Sequence, residues 1–171
     1  CVTGVDLHPA LLEAAARRVP EANFAVGDLE DASTLPDRCF DAVFMHTVHS
    51  HFDDCGAWFD HLVDLVAPGG HLFMYGIFNP QHVDVMVRAR YSGDSGEWLP
   101  GWSVLSRRTV ELALARNGWI GHFIPFTPRH PILRREDPLA AWTEERPDGS
   151  LAIRNGLCQE LHFALLEARA G

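Results

Sequence analysis

The chain has 171 residues, the size of one ordinary domain and enough to bury a single sizeable core. Its 14 Lys and Arg against 23 Asp and Glu give a formal net charge of −9, and its basic residues are scattered. This argues against a nucleic-acid docking surface, which needs clustered basic side chains, and no apolar run approaches the roughly 18 residues that a membrane span requires.

The first part of the chain alternates between β-rich and helix-favouring segments. Residues 1–5 are β-rich and end at Asp6, and a run of strong helix formers follows over 9–18. Short apolar runs at 24–26 and 40–45 predict two more strands. Because strands that alternate with helices are typical of βαβ units, the pattern predicts a parallel sheet.

A second helix and a fourth strand are predicted next. Apolar residues at helical spacing indicate an amphipathic helix over 53–66. The Pro-Gly-Gly sequence at 68–70 is expected to end that helix, because Gly tolerates the left-handed cap conformation and Pro cannot extend a helix. The apolar run 71–78 then predicts a buried strand, and 83–90 is compatible with a further helix.

The last third of the chain contains a mixture of elements. Ser106 is a suitable cap for a helix over 106–117, and 119–126 has the composition of a strand. A hairpin is predicted over 142–154, around a Pro-Asp-Gly-Ser turn. The segment 159–168 is ambiguous, since its composition favours helix while its apolar residues alternate as in a strand.

Candidate ligand-binding residues follow each predicted strand, because an open parallel sheet binds ligands beyond the carboxyl ends of its strands. Asp6 and Leu7 follow one strand, Asp28 and Leu29 follow the next, and residues 46–52 follow the third. An acidic residue in the position of Asp6 can accept hydrogen bonds from both ribose hydroxyls of a nucleoside cofactor. The alternative is a turn or helix N-cap carboxylate.

Three histidines, His46, His49 and His51, form an H-x-x-H-x-H cluster in this region. A metal site would require their nitrogens to converge beside a carboxylate such as Asp53 or Asp54, and we do not expect one. We favour His51 and His49 as general-base candidates, since neutral imidazole can take a proton from a substrate hydroxyl near pH 7. His46 is expected to face a cofactor instead.

Residues 79–104 interrupt the alternation and are interpreted as an insertion or acceptor loop. Trp98 and Trp102 form either an acceptor lid or a satellite hydrophobic cluster. Arg88 and Arg90 either bind an anionic acceptor or form the exposed face of a helix.

Four stretches resemble, in order and spacing, successive motifs of the class I S-adenosylmethionine-dependent methyltransferases. They are GVDLHPALLEAAARR, NFAVGDLEDA, FDAVFMHTVHSHFDD and LVAPGGHLFMYG, within residues 1 to 78. The resemblance implies a Rossmann-like open, mostly parallel sheet with helices on both faces and an antiparallel C-terminal strand. It also implies that S-adenosylmethionine is the cofactor, with its ribose on Asp6 and its adenine beside Asp28 and Leu29. Leu7 and His46 complete the expected cofactor site.

The family's first strand and glycine-rich loop have no counterpart in this sequence. In the family's strand order, 3-2-1-4-5-7-6, that first strand lies at the centre of the sheet. We therefore expect a single domain over 1–171 that is truncated at its N-terminus, a fragment of the full enzyme that by itself should show little or no binding of the cofactor.

The resemblance implies methyl transfer to an oxygen, nitrogen or carbon atom of a small molecule, and we favour a small hydroxylated or sugar-like acceptor. One alternative is a non-catalytic cofactor-binding or interaction module of the same fold. Another is an NAD(P)-dependent oxidoreductase, which shares the acidic residue at the strand end. The four separated cysteines are expected to be free thiols in the cytoplasm, and the oligomeric state is left open.

Overall fold

Strands and helices alternate along the first half of the chain, as the sequence predicts. The computed structural model describes residues 1–37, 39–93 and 95–171. The elements of the first half are β1 (Thr3–Asp6), α1 (Pro9–Arg18), β2 (Asn23–Val26), β3 (Phe40–His46), α2 (Ala57–Asp64) and β4 (Val66–Asn79). Short 3-10 turns follow β2 at Ala32–Thr34 and β3 at Val48–His51.

The second half begins with short extended pieces and ends with longer strands. Its elements are β5 (Arg88–Ala89), β6 (Leu99–Pro100), β7 (Leu105–Ser106), α3 (Arg107–Arg116), β8 (Trp119–Pro125), β9 (Trp142–Glu145), β10 (Leu151–Arg154) and β11 (Phe163–Ala170). Among the helices in the described part of the chain, none is long and apolar enough to cross a membrane.

The larger sheet has the strand order β3-β4-β11-β8, with β7 beside the end of β4. β3 and β4 are parallel, whereas β11 runs antiparallel to both of its neighbours, so the predicted antiparallel final strand is confirmed. β1 and β2 form a separate parallel pair. The order within the larger sheet therefore follows the predicted one.

The hydrophobic core lies on the face of the larger sheet that α2 and α3 cover. Strand residues on this face are fully buried against apolar side chains of the two helices; they include Leu72, Met74 and Leu166 against Phe59, Leu62, Val110 and Leu114. Burial of each such side chain contributes about 1.5–3 kcal/mol. On the opposite face Phe44 stacks on Phe73 at 4.9 Å between ring centroids and remains 65% exposed.

The predicted boundary between the second helix and the fourth strand is wrong. α2 ends at Asp64, and the Pro-Gly-Gly sequence at 68–70 lies inside β4. Val66 already pairs with Phe40, and the register then shifts, so the turn is absorbed as a bulge within the strand. Gly69 has a φ of 78°, a left-handed conformation that suits a residue without a Cβ.

Residues 83–90 are extended, contrary to the helix with which their sequence is compatible. Val85 pairs with Val104, and β5 pairs with β6, so that 85–89 and 99–104 form the two limbs of what we call the 85–104 hairpin. Gly101 permits the close approach of the limbs, because a Cβ there would lie 2.5 Å from a methyl group of Val87. Cross-limb pairing therefore overrides the local helical preference.

The remaining C-terminal predictions agree with the structure. The Ser106 hydroxyl caps α3 by accepting a hydrogen bond from the Thr109 amide at 3.0 Å. The strand predicted over 119–126 is β8, and the hairpin predicted over 142–154 consists of β9 and β10. From residue 163 onward the ambiguous segment is strand β11, which fills the space between β4 and β8.

Candidate functional site

The carboxyl ends of β1 and β2 lie side by side. Asp6 is paired with Val26, and the Gly27 amide donates to the Asp6 carbonyl at 3.2 Å. Gly27 is required here, since a Cβ would lie 2.7 Å from a Val5 methyl group. The loops that carry Asp6 and Asp28 therefore leave the small sheet at the same edge.

The Asp6 carboxylate is held by the turn that leads into α1. Its Oδ1 atom accepts a hydrogen bond from the His8 amide at 2.8 Å. Within the described residues no further hydrogen bond engages this carboxylate, and the residue is half-buried. Asp6 is thus a turn carboxylate with acceptor capacity left over, and the neighbouring Leu7 is 55% exposed.

The loop after β2 is tied to itself and to the larger sheet. The Asp28 amide donates to the Thr34 hydroxyl at 2.8 Å, and the Asp28 carboxylate accepts from the Glu30 amide. The Leu29 side chain packs against the main core, while its carbonyl accepts a hydrogen bond from His61 Nδ1 at 2.8 Å. α2 therefore fixes the position of this loop.

The end of β3 carries an exposed imidazole and an unusual backbone conformation. The His46 ring lies 5.6 Å from the Tyr75 ring on the neighbouring strand. Thr47 has a φ of 57°, which is uncommon for a β-branched residue, and its amide donates to the Tyr75 carbonyl at 2.7 Å. Such strained residues are concentrated at functional sites, because the surroundings must hold them in place.

The 3-10 turn after Thr47 separates the other two histidines. His49 is completely buried, whereas His51 is exposed at the end of the turn. The H-x-x-H-x-H spacing thus sends its side chains into different surroundings. Among the residues that the structure describes, no group of three or more metal-ligating side chains is arranged to hold a metal ion.

The 85–104 hairpin is attached to this 3-10 turn and to the loop beyond it. The Ser103 amide donates to the Ser50 carbonyl at 3.0 Å, and both Asp53 carboxylate oxygens accept from Arg88 Nη2 at 2.6 Å. The Arg90 guanidinium lies 4.8 Å above the Trp98 ring. Both arginines are thus engaged within the chain, and Trp98 remains 59% exposed at the tip.

Two positioning contacts have no clear sequence pattern. His61 reaches the loop after β2 from α2, and Asp84 accepts hydrogen bonds from the Ser106 amide and the Thr109 hydroxyl at the start of α3. Asp84 lies 22 residues from Ser106, so no local spacing rule connects the two. The sequence shows His61 only as one of several polar residues on an amphipathic helix, which does not indicate its contact with the loop after β2.

The chain is similar to known methyltransferases. Residues 1–74 match the family described as a methyltransferase domain. A trans-aconitate 2-methyltransferase from Methylobacterium radiotolerans is 37% identical over 71 residues, which is 42% of this chain and 26% of that enzyme. The matched segment is therefore about a quarter of the relative's length.

Solved structures match over nearly the whole chain. A complex of DhpI with SAH has a TM-score of 0.62 at 21% identity, covering 99% of this chain and 66% of that one. A SAM-dependent methyltransferase from Methanosarcina mazei also gives 0.62, at 13% identity, covering 99% and 81%. The glycopeptide N-methyltransferase MtfA with SAH gives 0.57 at 13% identity, covering 99% and 72%. These likenesses establish the fold.

Proposed function

We propose that the protein transfers a methyl group to a small-molecule acceptor, because residues 1–74 match the family described as a methyltransferase domain and the chain has the fold of S-adenosylmethionine-dependent methyltransferases. S-adenosylmethionine would supply its sulfonium methyl group: an acceptor atom would bond to the methyl carbon in line with the carbon–sulfur bond, which breaks as the sulfur leaves in a neutral thioether, S-adenosylhomocysteine. Alignment of acceptor and methyl group supplies most of the rate in such a reaction. A base is needed only where the acceptor must lose a proton.

The proposed cofactor site uses the carboxyl ends of the first three strands. Asp6 accepts from the ribose hydroxyls, and its fixed carboxylate with unused acceptor capacity is the observation that carries the proposal. Leu7 would lie beside the ribose, and Asp28 with Leu29 would border the adenine. His46, at the end of β3, would face the methyl-bearing part of the cofactor.

The proposed acceptor side lies around the 3-10 turn and the 85–104 hairpin. His51 is the better-placed general base of the two histidines proposed from the sequence, because it is exposed. His49 keeps a role in catalysis through the turn that it fixes. A small hydroxylated or sugar-like compound remains the proposed acceptor, and the acidic chain without clustered basic residues supports a small molecule over nucleic acid.

The proposed location is the cytoplasm. Its support is the state of the cysteines, which are all free thiols: Cys1, Cys39, Cys55 and Cys158. Disulfides are rare where glutathione and thioredoxin keep thiols reduced.

The experiment is calorimetric titration with S-adenosylhomocysteine of the whole protein, meaning the full enzyme of which this chain is proposed to be a fragment. It compares the unaltered protein with its Asp6→Asn variant. We expect Asp6→Asn to raise the Kd about tenfold or more, since hydrogen bonds to a charged acceptor are worth about 1.5–3 kcal/mol. Asp41→Asn is the matched control, because Asp41 is exposed at the opposite end of β3. The Kd of this variant for S-adenosylhomocysteine should stay within about twofold of the value for the unaltered protein.

Three results would change the proposal. Equal affinity in the unaltered protein and Asp6→Asn would remove Asp6 from the site. Tight binding without methylation of any small-molecule acceptor would favour a non-catalytic module. A whole protein that binds NAD(P) and not S-adenosylhomocysteine would replace the methyltransferase with an oxidoreductase.

A further inference from the structure

His49 is the one histidine of the cluster that the interior of the protein encloses. Its ring lies parallel to the Phe78 ring, with 4.5 Å between centroids and 3° between planes. Its Nε2 atom is 3.0 Å from the Ile77 carbonyl. Because a carbonyl only accepts, Nε2 carries the proton.

The ring fills a space that the neighbouring strand leaves for it. A Cβ on Gly76 would overlap His49 Cε1, so the absence of a side chain at Gly76 creates the space that the ring fills. Burial lowers the pKa of His49, an effect that outweighs the hydrogen bond to Ile77, and the nearby His51 lowers it further. Among the described residues no group pairs with Nδ1, which is buried.

The turn that carries His49 also carries the attachment of the 85–104 hairpin. The Ser50 hydroxyl donates to the Thr47 carbonyl at 2.8 Å, which closes the turn. The adjacent Ser50 carbonyl accepts from the Ser103 amide, and the Ser103 hydroxyl accepts from the Val87 amide at 3.1 Å. A continuous set of hydrogen bonds therefore runs from the turn into both limbs of the hairpin.

We propose that His49 is a positioning residue: its neutral ring, donating from Nε2 to Ile77, fixes the 48–51 turn on the end of β4 and so sets the position of the 85–104 hairpin and of His51. The consequence for catalysis rests on the proposed function, whereas the positions of the ring and the hairpin do not. In this proposal His49 acts through the turn and not by contact with acceptor or cofactor.

The first test is the ionisation state of His49, read by NMR on the whole protein with ¹⁵N-labelled histidine. Two-bond correlations distinguish a protonated ring nitrogen from a bare one. We expect a proton on Nε2, none on Nδ1, and no titration from about pH 5.5 to 8, where an ordinary histidine changes charge. A proton on Nδ1, or titration near the ordinary value, would overturn the inference.

The second test compares His49→Gln with His49→Leu by amide hydrogen exchange. The Gln amide nitrogen takes the place of Nε2 as donor, whereas Leu keeps an apolar side chain and loses the donor. For His49→Leu we expect exchange at Ser103 and Val87 to rise about tenfold, with Val110 in α3 unchanged. For His49→Gln we expect exchange at Ser103 within about threefold of the unaltered protein.

Unchanged exchange at Ser103 in His49→Leu would contradict the proposal. An equal rise at Ser103 and Val110 would also contradict it, because that pattern indicates general destabilisation. The NMR measurement on the unaltered protein decides the question even if His49→Leu does not fold. Neither test uses methyl transfer, so their failure leaves the proposed function standing, and failure to bind S-adenosylhomocysteine leaves these results standing.

Discussion

At Gly76 the fold accepts no side chain, because the His49 ring occupies the space that a Cβ would take. Neither residue is conspicuous in the sequence: Gly76 lies in an apolar run, and His49 shares its spacing with two exposed histidines. The spacing identified the region of the chain that carries the histidines. It did not distinguish the buried ring from the exposed ones, since that depends on the end of β4, where Ile77 lies 28 residues away along the chain.

This contact predicts the effect of a single methyl group. Gly76→Ala should lower the free energy of unfolding by about 2–3 kcal/mol, because neither the buried ring nor the strand can move aside. Gly69→Ala is the matched control: it has open space but a φ of 78°, and should cost about 1 kcal/mol. Urea unfolding measures both, and an equal loss in the two variants would show that the His49 ring yields.

At the scale of the element, the 85–104 hairpin shows how far local preference can mislead. Its first limb is compatible with a helix, yet cross-limb pairs and the bond from Ser103 to Ser50 make it extended. The Pro-Gly-Gly sequence at 68–70 is similar, since pairing of Val66 with Phe40 places it inside a strand. Strands such as β3 and β8 were predictable because their apolar runs match what the sheet buries or pairs.

The hairpin's attachment through Arg88 predicts a local effect. Arg88→Gln should change the free energy of unfolding by less than about 1 kcal/mol, because the partners Arg88 and Asp53 are 33% and 52% exposed. Cleavage by chymotrypsin near the exposed Trp98 should nevertheless become several-fold faster, since the hairpin loses one of its attachments. Arg108→Gln, which removes a surface pair within α3, is the control. Cleavage at the unaltered rate would show that Arg88 does not hold the hairpin.

The start of α3 predicts a pH dependence. Burial opposes ionisation of Asp84, but hydrogen bonds from Ser106 and Thr109 outweigh it and hold the pKa of this carboxyl below its ordinary value. A lowered pKa stabilises the fold above the unfolded value, and that stability is lost as pH falls through the folded value. The free energy of unfolding should therefore fall less steeply below about pH 4 in Asp84→Asn than in the unaltered protein.

Asp41→Asn is the control for this measurement, because Asp41 is exposed on β3. Below about pH 4 its free energy of unfolding should fall as steeply as that of the unaltered protein. If the free energy of unfolding of Asp84→Asn also falls as steeply, the hydrogen bonds at the start of α3 do not favour the charged carboxylate.

For the whole molecule, the order of the strands within the larger sheet was predictable. That success came from two sources: apolar runs that mark buried strands, and motifs that resemble one family in order and spacing. The sequence did not predict contacts between distant segments, such as His61 with the loop after β2 and Asp84 with α3. They depend on the relative placement of elements, which single-sequence periodicity does not contain.

Leu29 takes part both in the hydrophobic core and in the proposed cofactor site. Its side chain belongs to the main core, and its carbonyl is held by His61 on α2, while the residue stands in the loop proposed to border the adenine. A substitution of Leu29 that disturbs its packing on the core would therefore also displace the loop proposed to border the adenine, so one residue links the stability of the fold to the proposed recognition of the cofactor.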